Sequence, residues 1–277
     1  MSMTVFAIVL LAAALHASWN AIVKQGGDTL LTTVLVTTSA ALIAVAGLPF
    51  LPRPLPASWP FIAASTVFQI AYFVLVARTY RIADMSLTYP LMRGTAPLLV
   101  ALASLALMGE SLSRSAWLGV AIICVGILSM ARAARQASKA GVALSLGNAI
   151  IIAGYTLIDG IGVRRSGAPS SYTLWIFLLT GIVLGGWALA TRHRTFLRYG
   201  GQNWPLGIVG GAGTIGSYGL ALWAMTIAPV AVVAALRETS ILFGVAIAAF
   251  FLREKVSTTK VVGVCIIAIG AAALRLS

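Results

Sequence analysis

Charge is what this chain has least of. Only 9% of its 277 residues are Asp, Glu, Lys or Arg, against about 25% in an ordinary soluble domain, and just six are acidic. With 60% hydrophobic residues and a mean hydropathy of +1.00, that deficit excludes a water-soluble globule, whose core needs far less apolar surface. Histidine is nearly absent, at His16 and His193, and so is cysteine, at Cys124 and Cys265, both inside apolar runs. Neither a disulfide framework nor a metal site is indicated, and no cofactor is expected. HExxH and GxSxG do not occur, which argues against an intramembrane enzyme. The net charge of +13 comes from residues in short connections between apolar runs, not along one stripe. They read as topology signals of a chain in a lipid bilayer, with no nucleic-acid partner.

What is present is a succession of apolar runs. About 20 residues rising 1.5 Å each cross a hydrocarbon core of ~30 Å. That template finds runs near 4–23, 31–50, 60–78, 85–108, 115–131, 142–163, 171–190, 205–226, 229–252 and 259–275. The first lacks the basic start and small-residue end of a signal peptide and reads as a helix. The expected fold is an all-α integral membrane protein of ten transmembrane helices.

One stretch occurs twice. Sliding residues 89–128 by 144 positions lays Arg93 on Arg237, Thr95 on Thr239, Glu110 on Glu254, Ser113 on Ser257, Gly119 on Gly263 and Gly126 on Gly270. This is a duplication signal. It divides the chain into 1–136 and 137–277, joined by the polar, basic segment 131–141. Five helices per copy is an odd number, so the second copy enters the membrane from the opposite side. Inverted repeats of this kind build many secondary transporters, with the substrate at the midplane between them. Twelve Lys and Arg fall on the side of the loops after helices 1, 3, 5, 7 and 9, and five on the other. Positive-inside reasoning therefore puts both termini outside the cytoplasm.

The tryptophan early in the first helix (ASWNAIVK), the run APLLVALASLALMGESLSRSAWLGVAIICVGIL and its second copy ending in FLREKVSTTKVVGVCIIAIG resemble the drug/metabolite transporter superfamily, in its ten-helix branch of two EamA-type domains. The resemblance spans essentially the whole chain. It implies a multi-pass protein of a bacterial inner membrane, a monomer or weak homodimer, exporting small metabolites. Amino acids are the leading class, as in the YddG-like exporters of aromatic amino acids, and efflux of cationic or lipophilic drugs is the alternative. An arginine in both fourth-helix copies departs from the expected pattern and disfavours a purely hydrophobic or cationic substrate.

The candidate site follows from polar residues inside apolar runs. A mid-bilayer Arg costs about 2.5–3.5 kcal/mol on insertion scales, so Arg93 and Arg237 face a cavity or a partner. The partner reading pairs Arg93 with Asp159, or Arg237 with Glu238. Pro90 and Pro97 bracket Arg93, and each removes a backbone N–H and loosens that helix; a break there would offer free backbone groups beside the arginine. The spacing places His16, Trp19 and Asn20 on one face of helix 1, Asn148, Tyr155 and Asp159 on one face of helix 6, and Tyr89 one turn from Arg93. Trp223 is a further aromatic candidate. Together these suit a substrate carboxylate on Arg and a side chain on Trp19 or Tyr155. Arg93 is the expected contact, because Glu238 follows Arg237 directly and neutralises it. His16, Asp159 and Glu238 are the candidate proton carriers. Three features are set aside: GAGTIG at 211–216 has no preceding strand, Gly181 and Gly185 signal helix packing, and Glu110 and Glu254 read as capping or salt-bridge groups.

Overall fold

The computed structural model describes residues 1–25, 27–83, 85–131, 138–250, 253 and 256–276, which form helices and connections without a strand. The repeat boundary at 136/137 and Glu254 lie outside the described residues. The helices are α1 (Met3–Gln25), α2 (Thr29–Gly47), α3 (Trp59–Ile82), α4 (Met85–Met108), α5 (Arg114–Ala131), α6 (Lys139–Ser166), α7 (Pro169–Met225), α8 (Val230–Arg237), α9 (Ser240–Phe250) and α10 (Thr258–Arg275). Eight helical stretches among the described residues are long and apolar enough to cross a bilayer, α8 and α9 counting together as Val230–Phe250. The shorter Arg114–Met130 joins them.

Two expectations about helix continuity are corrected. Residues 191–203, read as a loop, are largely helical: α7 runs for 57 residues, interrupted by non-helical backbone only at Arg192 and Asn203. Pro205 sits just inside the restart, where its missing N–H is harmless. The limbs before and after the interruptions clasp α2. A Cβ at Gly181 would lie 2.5 Å from the Thr37 carbonyl, and one at Gly211 would lie 2.8 Å from the Ala40 nitrogen. The glycines of GAGTIG and the GxxxG pair are therefore packing surfaces. Between the limbs, Phe196 is buried beside Leu31 and Leu35, and Tyr199 shares a hydrogen bond of 2.5 Å with Thr32.

The second correction concerns the arginine helices. α4 passes through Pro90 and Pro97 without a break, whereas its repeat mate is interrupted between α8 and α9. There Thr239 donates to the Leu236 carbonyl (3.0 Å), Ile241 to Glu238 (3.0 Å) and Leu242 to Thr239 (2.9 Å), all i→i−3 bonds. Such 3₁₀ tightening replaces the α-helical ladder at this point. Both copies nevertheless deprive the arginine carbonyl of its i+4 donor. Pro97 has no N–H to give Arg93, and Ile241 gives its own to Glu238.

α5 and α10 run antiparallel in near backbone contact. A Cβ at Gly126 would meet the Gly263 carbonyl at 3.1 Å, and one at Gly119 would meet the Gly270 carbonyl at 3.1 Å. The 144-residue shift exchanges these two contacts. At one face of the bundle Arg275 Nη1 donates to the Met1 carbonyl at 3.1 Å, which brings the two ends of the chain together.

Candidate functional site

Four of the six acidic residues fall among the described ones, and each has a distinct use. Asp28 caps α2, accepting from the Leu31 amide at 3.0 Å. Glu110 pairs with Arg164 at 2.6 Å and accepts the Val230 amide at the start of α8 at 2.9 Å. Arg164 in turn donates to the carbonyls of Met225 (2.7 Å) and Ala228 (3.0 Å). This network joins the α4–α5 connection, the end of α6 and the α7–α8 turn, and bears out the structural reading of Glu110.

The other two carboxylates are in the interior. Glu238 accepts from Arg93 Nε at 2.9 Å and faces Arg93 Nη2 at 2.8 Å. The two side chains, 5% and 7% exposed, form a two-point, charge-assisted pair linking α4 to the α8–α9 break. Neither ion pair expected from the sequence is present among the described residues. The expected neutralisation is corrected: Glu238 neutralises Arg93, not its neighbour Arg237. Side chains of consecutive helical residues point about 100° apart, so adjacency in sequence does not make partners.

The Arg237 side chain has neither ion pair nor hydrogen bond with a described residue. Its guanidinium lies over the Tyr218 ring, 4.9 Å from the centroid, and the residue is 9% exposed. A cation–π contact stabilises the charge and leaves the N–H fork without an acceptor.

Asp159 is fully buried on α6 and is held by hydroxyls instead of a cation. Ser65 of α3 donates to Oδ2 at 2.9 Å, Tyr172 to Oδ1 at 3.0 Å, and Tyr218 to Oδ2 in a short bond. Gln69 donates to Ser65 at 3.3 Å. Tyr218 thus touches Asp159 with its hydroxyl and Arg237 with its face.

The remaining candidates are partly gathered here. Tyr155 lies edge-on to Tyr72 (6.2 Å) and Tyr218 (6.4 Å), and Tyr218 edge-on to Phe177 (6.1 Å). Tyr89 lies within electrostatic reach of Arg93 and Glu238, and His16 within reach of both arginines. His16 meets Trp19 at 5.3 Å. Asn20 donates its amide to the His16 carbonyl at 2.7 Å, so that donor is internal to α1. Trp223, by contrast, is 36% exposed and makes no ring contact with this cluster. The buried Trp19 Nε1, Asn148 Oδ1 and Ser240 Oγ have no partner among the described residues. Ser65, Tyr72, Tyr172 and Tyr218 are absent from the sequence-based selection. The spacing signal was available for Ser65 with Gln69 (i, i+4), but nothing local pointed to Asp159.

Arg93, Pro97, Tyr155, Thr156, Arg237 and Glu238 line a space of ≈ 10 Å³, about enough for one water. A larger cavity of ≈ 390 Å³, lined by Val5, Ser111, Ser113, Ala228, Pro229 and Val232 among others, borders the Glu110–Arg164 network at the face where the chain ends meet.

Comparison with known proteins agrees with this architecture. A solved structure titled "Crystal structure of protein" is 18% identical, with a TM-score of 0.79 over 100% of this chain and 98% of that one. No curated protein matches. The profile of the EamA-like transporter family matches residues 3–132 and again 139–276. A chain of apolar helices matched almost throughout by this profile belongs to the EamA-like transporter family.

Proposed function

We propose that the protein is a secondary transporter of small carboxylate-bearing metabolites, amino acids foremost, working by alternating access between two inverted five-helix repeats, 1–136 and 137–277, in a bacterial inner membrane. Arg237 carries this reading: a buried guanidinium seated on an aromatic face with its hydrogen-bond fork unmatched. A carboxylate supplies the planar acceptor pair that fork fits. The unpartnered Trp19 Nε1 and Ser240 Oγ offer further polar contacts, and Tyr155 an apolar wall. The exchange of the Gly119–Gly270 and Gly126–Gly263 contacts under the repeat shift supports a two-fold relation between the halves, and the direction assigned to transport, export, follows the family resemblance. Efflux of cations would need an accessible unpaired carboxylate. Glu238 is paired with Arg93, and Asp159 is enclosed by three hydroxyls, so the anion reading is favoured.

The test is counterflow in proteoliposomes with a labelled panel of amino acids and short carboxylic acids. Saturable exchange of at least one carboxylate, lost in Arg237→Gln and partly restored in Arg237→Lys, supports it. Exchange of amines or lipophilic cations alone refutes it.

A further inference from the structure

We infer that Asp159 is a proton-binding site wired through Tyr218 to Arg237, so that proton occupancy at the carboxyl and anion occupancy at the guanidinium are linked. The inference rests on geometry. Asp159 is the interior carboxylate among the described residues with no cation paired to it: Glu238 has Arg93, whereas Asp159 has Ser65, Tyr172 and Tyr218. Hydroxyls differ from a guanidinium in one decisive respect. Each both donates and accepts, so the same three groups can solvate an ionised carboxylate or, by rotating a hydroxyl proton, the neutral acid. An Arg partner has no acceptor and serves the ionised form alone.

The wiring is a single side chain. Tyr218 donates to Asp159 Oδ2 and carries the Arg237 guanidinium on its ring. The groups bearing on Asp159 can be named element by element. α3 presents Ser65 with Gln69 behind it, α7 presents Tyr172 and Tyr218, and α8 presents Arg237, whose charge acts on Asp159. From α4, Arg93 is committed to Glu238. When a substrate carboxylate occupies Arg237, the positive field at Asp159 is neutralised and proton uptake accompanies binding. Proton and anion then cross in the same direction. An inward proton gradient opposes net export, which proceeds down the substrate's own gradient.

The experiment needs no substrate, so its outcome is separate from that of the counterflow assay. The protein is reconstituted in lipid and titrated with pH while the C=O stretch of protonated carboxyl groups is followed by infrared difference spectroscopy. The expected result is a titrating band that is lost in Asp159→Asn, kept in Glu238→Gln, and displaced in midpoint by Arg237→Gln. If Asp159→Asn does not fold, Tyr218→Phe, which keeps the ring and removes the hydroxyl, must displace the midpoint instead. A band that survives Asp159→Asn overturns the inference. So does a midpoint that neither Arg237→Gln nor Tyr218→Phe moves, and so does the absence of any titrating carboxyl band.

Discussion

Arg93 grips Glu238 across the two halves of the chain through two contacts of 2.8 and 2.9 Å. The symmetry-related pair would join Arg237 to residue 94, and residue 94 is glycine. No carboxylate fits there, since even a Cβ at Gly94 would come within 2.9 Å of Leu128 Cγ on α5. Duplication supplied two arginines, and packing left a carboxylate for one of them. The asymmetry separates an ion-paired arginine from one with no carboxylate partner among the described residues.

Removing the partner of Arg93 strands a buried charge. Glu238→Gln is expected to destabilise the purified protein by about 3–5 kcal/mol, the cost of breaking a buried pair from one side. The double replacement Arg93→Met with Glu238→Leu should recover most of that loss. Thermal unfolding of the wild type and the two variants in one detergent decides it; equal losses in single and double variants would show that the pair contributes nothing specific.

Arg237→Gln should fold like wild type and lose about 1.5–3 kcal/mol of carboxylate binding, the range for a hydrogen bond to a charged group. Arg93→Gln should do the reverse, damaging stability first. Size-exclusion profiles alongside counterflow constants on the same preparations distinguish the two. Wild-type affinity in a monodisperse Arg237→Gln variant contradicts the assignment.

The glycine contacts between α5 and α10 leave no space for a methyl group. Gly270→Ala would bring its Cβ to 2.8 Å from the Ile123 nitrogen and 3.0 Å from the Gly119 carbonyl. We expect a loss of about 1–3 kcal/mol, as for overpacking elsewhere. Gly186→Ala, where nothing lies within 4 Å, should be neutral or stabilising by up to about 1 kcal/mol, since alanine is the better helix former. Comparing the melting temperatures of the two variants checks the pair.

Orientation is open to direct measurement. Because Arg275 bonds to the Met1 carbonyl, reporters at either end must give the same answer, and the basic bias of the loops puts them outside the cytoplasm. A reporter active only outside should therefore signal at the C-terminal end and stay silent within the connection at 132–137. The opposite pattern at both positions reverses the topology.

Much of this was legible in the chain itself. The apolar runs gave the membrane class, the repeat shift put Arg93 and Arg237 in equivalent places, and the spacing brought Tyr155 and Asp159 to one side of α6. Partners were not legible. Asp159 meets Ser65, Tyr172 and Tyr218 from other helices, at separations of 94, 13 and 59 residues, and no local pattern encodes such a meeting. The position of the helix break was misread for a related reason. Proline predicts a lost hydrogen bond, which α4 tolerates at Pro90 and Pro97. The actual break follows Arg237, beside Glu238, where the backbone bonds switch to i→i−3.

The short helix α8 has a consequence for how motion is partitioned. By descent it belongs to the second copy, yet it is moored to the first at both ends, by Glu110 at the Val230 amide and by Arg93 at Glu238. The tightened turn at Thr239 is its seam with α9. A dividing surface drawn along the ancestry of the chain would cut both of these contacts. Any relative movement of the two copies would have to break one of these moorings or carry α8 along with the first copy.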